Sequence, residues 1–331
     1  MEKPRVFVSR IISDVAIEKL SKEADVEIWP EELPPSYEIL TEKVRNAEGL
    51  LSLLTDRIDA ALMDAAPKLK VVSNLAVGYD NIRIPEATKR GIAVSNTPEV
   101  LTETTADLAF ALLMAAARRV VEADKFTRAG KWKTWGPGLM LGQDIHHATL
   151  GIAGMGRIGR EMAKRAAGFS MRILYYDEFR QPEAVEKQLG LEKVATLDEL
   201  LTESDFISLH VPLTEKTKHL IGREQFAKMK PTAVLVNSSR GPVVDQKALY
   251  EALKSNTIFA AGLDVTETEP ISPDDPLLTL DNVIILPHIA SGSYITREKM
   301  AVMAVDNIIA GLRGEKLPEC VNPEVYGKQG N

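Results

Sequence analysis

Three side chains in the last third of the chain are of the types that reduce a carbonyl group next to a carboxylate. Arg240 stands in VNSSRGPVVD, Glu269 in GLDVTETEP and His288 in LPHIASG. Each segment contains or follows a short apolar run that is typical of a buried strand. Because the carboxyl ends of the strands form the functional edge of an open α/β sheet, we expect the three side chains to meet at one edge.

These residue types divide the chemistry of a 2-keto acid reduction between them. An arginine binds the substrate carboxylate and carbonyl oxygen and draws electron density from the carbon that accepts hydride. A histidine protonates the developing alkoxide, or takes the hydroxyl proton in the reverse direction. A neighbouring glutamate orients the imidazole and stabilises its charged form. We predict these roles for Arg240, His288 and Glu269, respectively, with Arg240 and His288 both touching substrate.

A glycine-rich turn begins almost halfway along the chain and predicts a dinucleotide site. LGIAGMGRIGREMAKR (150–165) places Gly154, Gly156 and Gly159 in G-x-G-x-x-G between a strand-like and a helix-like run. The first glycine allows a tight turn, the second lets the backbone approach a pyrophosphate, and the third permits close packing of the helix on the strand. The helix N-terminal amides then face the phosphates.

The next strand-like run bears on which dinucleotide fits. MRILYYD ends on Asp177, 18 residues after the last glycine. A carboxylate there accepts hydrogen bonds from the adenosine ribose hydroxyls and repels a 2′-phosphate, which favours NAD. Arg180 lies three residues further on and can reach a 2′-phosphate, so NADP stays open as a cofactor.

Composition describes a globular protein whose partners are small molecules. The chain has 331 residues, enough for two domains, of which 45% are hydrophobic and 26% charged. A net charge of −7 without a basic run argues against nucleic acid and anionic membranes. The most apolar run, LAFALLMAAA (108–117), is too short to span a bilayer. The single cysteine, Cys320, and an N-terminus without a signal-peptide core predict a cytoplasmic protein. No residue group has metal-ligand spacing, and we expect no metal.

The elements that must position these residues form two α/β units. Strand-like and helix-like runs alternate through the first hundred residues, and the alternation restarts at about residue 149. We assign 1–99 plus 291–331 to a substrate domain and 100–290 to an inserted dinucleotide domain. An unbroken helix is predicted over roughly 99–129. We expect a cleft where the chain crosses between the domains, since small-molecule sites favour such places.

Five motifs together give the chain a family resemblance over essentially its full length. They are NLAVGYDNI, ETTADLAFALLM, GIAGMGRIG, NSSRGPVVD and PHIASG. The chain resembles the D-isomer-specific 2-hydroxyacid dehydrogenases, most closely their glyoxylate/hydroxypyruvate reductase branch. The resemblance implies a Rossmann-type doubly wound parallel sheet inserted into a smaller flavodoxin-like substrate domain. It also implies homodimers built through the cofactor domain, and the same catalytic Arg240, Glu269 and His288. Of the two acids in TETEP, the one directly before the proline is the family's, so Glu267 is read as a surface charge.

The resemblance further implies roles for residues that spacing alone does not single out. In the first domain, the amides of Val77 and Gly78 hold the substrate carboxylate and Leu53 lines the pocket. Thr105 faces the nicotinamide ring, and Asp264 meets its amide. The other implied cofactor contacts follow the glycine turn or the ends of later strands: Met155, Arg157, Ile158, Val211, Pro212, Thr217, Ser238, Ser239, Ser291 and Gly292.

We expect a small 2-keto or 2-hydroxy acid as the substrate, and the leading hypothesis is reduction of glyoxylate or hydroxypyruvate to the D-2-hydroxy acid. Another D-2-hydroxyacid dehydrogenase activity stays open, and three named alternatives accompany the hypothesis. D-3-phosphoglycerate dehydrogenase is the first, although 53–80 shows no basic cluster for a phosphate. Phosphite dehydrogenase is a second. The third is an NAD-sensing, non-catalytic corepressor-like scaffold, which retains a similar triad. The sequence leaves the physiological 2-keto acid and the direction of the reaction open. We place Trp135 at a dimer interface and Arg297 near the tail of the substrate.

Overall fold

The computed structural model describes residues 2–327, which form two compact α/β units. One unit contains residues 2–101 together with residues 292–327, and the other spans Thr102–Ser291. Each unit is built on its own parallel sheet. The predicted fold class, two domains with parallel sheets, is confirmed. The assignment of one unit to the substrate and the other to the cofactor stays a prediction.

The sheet of the first unit has five parallel strands in the order β2-β1-β3-β4-β5. This is the order of flavodoxin-like folds, in which the chain reverses direction across the sheet after its first two strands. The strands β3 and β4 are buried along their whole length, as strands covered on both faces must be. The strands are β1 (Arg5–Val8), β2 (Asp25–Ile28), β3 (Gly49–Ser52), β4 (Val71–Asn74) and β5 (Ala93–Ser95).

Helices cover both faces of this sheet, and several begin at a side-chain cap. Ser13, Ser36, Asp59 and Ser293 each accept a hydrogen bond from a backbone N–H of the first turn. The long C-terminal helix packs on β3 and β4, which returns the end of the chain to the first unit. The helices are α1 (Asp14–Glu23), α2 (Tyr37–Val44), α3 (Ala60–Ala65), α4 (Ile84–Lys89) and α12 (Tyr294–Leu312).

The second unit has seven parallel strands in the order β12-β11-β10-β9-β6-β7-β8. The order reverses beside β6, which is the switch point where doubly wound sheets bind ligands. The glycine-rich turn directly follows β6, so the topology puts it at that point. The strands are β6 (Thr149–Ala153), β7 (Arg172–Tyr176), β8 (Leu191–Lys193), β9 (Phe206–Leu209), β10 (Val234–Asn237), β11 (Ala260–Leu263) and β12 (Val283–Ile285).

Two apolar cores lie on opposite faces of this seven-stranded sheet. One contains α5 and α7, and the other contains α9 and α11. None of the helices in the described part of the chain is long and apolar enough to cross a membrane. The helices of this unit are α5 (Thr102–Ala117), α6 (Val120–Arg128), α7 (Arg157–Ala167), α8 (Glu183–Leu189), α9 (Leu197–Glu203), α10 (Arg223–Phe226) and α11 (Gln246–Lys254).

The predicted single helix over 99–129 is wrong, because the segment forms α5 and α6 with a break between them. Arg119 has φ of 53°, in the left-handed region, and its guanidinium binds Glu122 at 2.6 Å. The carbonyl oxygen of Ala117 accepts a hydrogen bond from Gln143 N at 2.9 Å instead of continuing the helix. A contact from a distant loop thus ends α5, which periodicity does not reveal.

Candidate active site

The three candidate catalytic residues follow three neighbouring strands. Asn237, Leu263 and Ile285 pair side by side at the carboxyl ends of β10, β11 and β12. Arg240 comes three residues after the first of these ends, and His288 comes three residues after the last. Glu269 is carried by the loop that follows β11. All three residues therefore belong to loops at the same edge of the sheet.

His288 and Glu269 form a direct pair. His288 Nδ1 lies 2.8 Å from Glu269 Oε2, and the side chains are 26% and 32% exposed. The other carboxylate oxygen, Oε1, accepts a hydrogen bond from Thr266 N at 3.2 Å, and Thr266 Oγ1 donates to the carbonyl of Thr268 at 2.8 Å. Partial burial and a fixed loop hold the carboxylate against one ring nitrogen, which leaves Nε2 for a proton transfer.

The strained backbone conformation of His288 is supported by the buried carboxylate of Asp264. His288 has φ of 56°, which is uncommon for a residue with a side chain and tends to occur at functional sites. Its N–H donates to the carbonyl of Asp264 at 2.9 Å. The two carboxylate oxygens of Asp264 accept from Ile289 N at 2.7 Å and Ala290 N at 2.8 Å. Burial raises the pKa of Asp264, while these two amides and His288 oppose the rise.

Asp264 therefore has a positioning role that the sequence did not suggest. The side chain is fully buried, and both oxygens are used by the loop that carries His288. Its implied contact with the nicotinamide amide stays a prediction. A buried carboxylate with two backbone donors is a rigid support, because losing it would leave both N–H groups unpaired.

Arg240 is set by an asparagine at the end of β10. Asn237 is 1% exposed; its Nδ2 donates to the carbonyl of Arg240 at 2.9 Å, and its Oδ1 accepts from Ser239 N at 3.0 Å. Arg240 Nη1 in turn donates to the carbonyl of Ser239 at 2.9 Å. One side chain thus closes the turn 237–240 and fixes the backbone from which the guanidinium extends.

A close backbone approach joins the arginine turn to the glutamate loop. A methyl group added at Gly241 would lie 1.8 Å from the carbonyl oxygen of Thr266 and 2.0 Å from its carbonyl carbon. Only glycine permits this contact. Arg240 is the residue before Gly241, and Thr266 holds the carboxylate of Glu269, so this contact links the positions of the arginine and the glutamate.

The second acid of TETEP has a separate partner. Glu267 Oε1 lies 2.8 Å from His219 Nε2, and Glu267 Oε2 accepts from Gln246 N at 3.3 Å. The pair ties the loop after β11 to the start of α11 and to the loop after β9. Glu267 is thus more than a solvated charge, but the contact to His288 belongs to Glu269.

The glycine turn has the geometry that its sequence predicts. Gly154 has φ of 93°, and a methyl group there would lie 2.7 Å from the backbone of His210. A methyl group at Gly159 would lie 2.2 Å from the carbonyl oxygen of Gly154, whereas Gly156 faces open space. The turn is therefore tight at its first and third glycines and open at its second. Gly156 caps α7, whose first turn has no side-chain cap.

The residues around this turn fit a dinucleotide. Asp177 Oδ2 accepts from Met155 N at 2.7 Å and Oδ1 accepts from Phe179 N at 2.9 Å, so the carboxylate sits beside the turn with lone pairs remaining for ribose hydroxyls. Ser238 Oγ, after β10, is buried and has no hydrogen-bond partner within residues 2–327. A buried hydroxyl of this kind is available to a bound polar group.

The remaining implied cofactor residues lie on α5, at the glycine turn or after strand ends of the second unit, with one exception. Thr105 is buried on α5. The loop after β9 is closed by Thr217, whose Oγ1 donates to the carbonyl of Pro212 at 2.6 Å. Gly292 is the exception, since it belongs to the first unit. The others lie at the turn or at strand ends: Met155, Arg157 and Ile158 after β6, Val211 after β9, Ser239 after β10 and Ser291 after β12.

In the first unit, asparagine side chains fix the loop predicted to bind a carboxylate. Asn96 Nδ2 donates to the carbonyl of Val77 at 2.7 Å, and Asn74 Nδ2 donates to the carbonyl of Gly78 at 2.9 Å. In a trans peptide the C=O and the next N–H point in opposite directions, so the N–H of Gly78 points away from Asn96. The carbonyl of Leu53 is held at 3.0 Å by Asn81 Nδ2.

His210 lies beneath the glycine turn as a neutral imidazole. Its Nε2 is 2.8 Å from Ser208 Oγ, which is fully buried, and its backbone packs against Gly154. Burial lowers the pKa of His210 to about 4. The unfolded chain protonates the His210 ring at a higher pH than the folded protein does. The free energy of unfolding is therefore highest above the ordinary pKa of histidine and decreases as pH falls toward 4.

Replacing His210 with glutamine should therefore flatten the dependence of stability on pH. Between pH 7.5 and 5.0 the wild type should lose about 2 kcal/mol more of its free energy of unfolding than the variant does. Urea unfolding at the two pH values measures this difference, and His146→Gln is the control because that side chain is 66% exposed. Equal losses in wild type and His210→Gln would contradict a neutral imidazole with a lowered pKa at this position.

Sequence reasoning missed the residues that support the site. Asp264, Asn237 and Asn81 all stand inside the quoted motifs, but they act by binding backbone groups of loops, which residue type and spacing do not reveal. The signal that was available is positional: Asn237 and Asp264 are the last residue of, or the first residue after, a buried apolar strand. A polar side chain in that place is well situated to bind the loops of neighbouring strands.

Comparisons with known proteins agree on one family. The family model described as D-isomer specific 2-hydroxyacid dehydrogenase, NAD binding domain, matches residues 110–290. The chain is 60% identical to a glyoxylate reductase of Korarchaeum cryptofilum over 324 residues, which cover 98% of this chain and 97% of that protein.

Solved structures share the fold over nearly all of the chain. A Thermus thermophilus protein superposes with a TM-score of 0.91 at 45% identity, covering 96% of this chain and 99% of that one. An NADPH-dependent glyoxylate/hydroxypyruvate reductase of Sinorhizobium meliloti, solved with NADP and malonate, gives 0.85 at 32% identity, covering 97% and 98%.

Proposed function

Because the chain belongs to the D-isomer-specific 2-hydroxyacid dehydrogenases, NAD(P)-dependent oxidoreductases, we propose that it reduces glyoxylate with NADH, and hydroxypyruvate as a second substrate. The observation that carries the proposal is the His288–Glu269 pair, 2.8 Å apart, on loops next to the turn that bears Arg240. A cation, an imidazole and an orienting carboxylate at one sheet edge suit carbonyl reduction beside a carboxylate.

The contact between Glu269 and His288 Nδ1 decides which ring nitrogen gives its proton to the substrate. Glu269 accepts the Nδ1–H of His288 and orients the ring, so Nε2–H is the proton that moves to the alkoxide oxygen. The ring is then neutral and keeps Nδ1–H on the carboxylate. Arg240 binds the carboxylate and polarises the carbonyl. NAD(P)H, when bound, supplies the hydride.

The groups that hold the cofactor lie at one edge of the sheet in the second unit. Backbone amides of the glycine turn and the uncapped first turn of α7 bind the pyrophosphate. Asp177 accepts from the ribose hydroxyls, and the buried hydroxyl of Ser238 bonds the cofactor. These assignments, with the remaining implied contacts, explain why a buried hydroxyl and an open Gly156 occur at the same edge.

The substrate carboxylate binds to the first unit. The fixed loop at Val77 and Gly78 supplies backbone N–H groups, and Leu53 lines the pocket. Asn96 Nδ2 holds the carbonyl of Val77 and Thr97 N holds the carbonyl of Ala76, so the N–H groups of Gly78 and Val77 are oriented before the substrate arrives. Preorganised donors of this kind bind an anion without the cost of ordering a loop.

A panel of 2-keto acids tests the proposal. We expect oxidation of NADH with glyoxylate and hydroxypyruvate, and a kcat/KM at least about tenfold lower with 3-phosphohydroxypyruvate, because the loop at residues 74–82 contains no lysine or arginine for a phosphate. The absorbance of NADH and of NADPH at saturating acid gives the rates. Binding of NADH without turnover of any acid would contradict the proposal and favour the non-catalytic scaffold.

We also propose that the chain forms a homodimer through its cofactor unit. Large apolar side chains are exposed over α6 and the following loop, which is unusual for a monomer: Val120, Trp132, Trp135, Leu139 and Leu141. Light scattering should give twice the mass of one chain, and Trp135→Asp should lower it. A single mass for both proteins equal to one chain would contradict the dimer.

We further propose that the protein acts in the cytoplasm. One cysteine in the whole sequence agrees with a reducing compartment, which cell fractionation tests.

A further inference from the structure

Arg180 is bound to a carboxylate that lies on the next helix. Its Nη2 donates to Glu186 Oε2 at 2.9 Å, and its Nε lies 3.1 Å from Oε1 of the same carboxylate. Glu186 is on α8, one turn after the helix begins. The guanidinium is thereby turned towards α8.

Glu186 is itself fixed from below by a buried tyrosine. Tyr175 OH donates to Glu186 Oε1 at 2.5 Å and accepts from Gln181 N at 2.9 Å. Tyr175 is fully buried, and the Glu186 side chain is 9% exposed. Arg180 and Tyr175 together lower the pKa of Glu186. The carboxylate is thus a charged, nearly buried group with two partners.

The position of this pair matters because Arg180 belongs to the loop that starts at Asp177. The Oδ1 of Asp177 accepts from Phe179 N at 2.9 Å, so the loop 177–180 is tight and keeps Arg180 close to the carboxylate proposed to bind the ribose. Arg180 is 71% exposed, so its side chain has room to leave Glu186. If it left, a nearly buried carboxylate would lose its cation, which is costly.

We propose that Glu186, held by Tyr175, restrains Arg180 and makes the protein prefer NAD(H) to NADP(H). The inference rests on the proposed function, because it concerns the cofactor of that site. Glu186 acts here as a positioning residue: it occupies the guanidinium that would otherwise pair with a 2′-phosphate, and adds a negative charge near it.

The test measures dissociation constants by fluorescence titration of NADH and NADPH, and by calorimetry of 2′,5′-ADP. Glu186→Gln should tighten NADPH about fivefold and NADH less than twofold, since only the first carries a 2′-phosphate. Arg180→Ala should change NADPH binding less than twofold in the wild type and remove the whole gain in Glu186→Gln. This dependence on Arg180 shows whether the gain comes from release of its guanidinium or only from loss of the Glu186 charge.

Glu183→Gln is the matched control, because it makes the same charge change on the same helix at a side chain paired with Lys187. It should leave the NADH to NADPH ratio within twofold. Should Glu186→Gln fold poorly, Tyr175→Phe loosens the same carboxylate and should shift the ratio in the same direction. Tight NADH binding with an unchanged ratio in both variants overturns this inference alone. Failure of the wild type to bind either dinucleotide overturns the proposed function.

Discussion

Replacing His288 with alanine should lower kcat for glyoxylate about a thousandfold while changing the dissociation constant of NADH less than threefold. A positioned general acid contributes on the order of 10² to 10⁴ to the rate, and no other imidazole in the described chain pairs with Glu269. The hydride step loses its proton donor, whereas the glycine turn, which follows a different strand, is untouched.

Stopped-flow absorbance of NADH measures the turnover, and fluorescence titration measures the binding. His146→Ala is the control, since that ring is largely exposed and lies before β6. A His288→Ala protein that folds, binds NADH and still turns over within tenfold of the wild type would remove His288 from the mechanism.

Substituting alanine for Gly241 should disrupt the site without touching a side chain that reacts. The new methyl group would overlap the backbone of Thr266, so the turn bearing Arg240 and the loop bearing Glu269 must move apart. Overpacking of this kind costs about 1–3 kcal/mol of stability, and more where backbone opposes backbone. We expect kcat/KM for glyoxylate to fall at least about a hundredfold, because misplacement of a catalytic group by about 1 Å has that effect.

Gly138→Ala is the matched control, since a methyl group there meets nothing within 4 Å and its backbone has no positive φ. Urea unfolding gives the loss of stability, and assays at a temperature where both variants are folded give kcat/KM. Wild-type kinetics in a folded Gly241→Ala protein would mean that the two loops do not depend on each other.

Much of the site could be predicted because its parts have local signatures. The glycine turn needs a particular backbone, and only glycine supplies it, so the fingerprint is visible as spacing. Arg240, Glu269 and His288 each follow an apolar run, and parallel sheets bring such ends to one edge. The alternation of runs also indicates two parallel sheets, although it does not give the order of their strands.

What could not be predicted depends on contacts between distant loops. Asp264 reads as a polar residue after a strand, yet its oxygens hold Ile289 and Ala290. The break after α5 depends on Gln143, which binds the carbonyl of Ala117. The restraint on Arg180 depends on Tyr175, whose hydroxyl faces a helix that begins eight residues later. Such pairings are set by tertiary packing, which overrides local pattern.

A crystal structure with NAD⁺ and oxalate, an unreactive dicarboxylate of the size of glyoxylate, tests the central claim most directly. We expect one carboxylate of oxalate on Arg240, and an oxalate oxygen about 3 Å from His288 Nε2 on the side of the nicotinamide ring. Oxalate bound elsewhere, or a His288 that turns its Nε2 away while Glu269 still holds Nδ1, would contradict the assignment of this edge of the sheet as the active site.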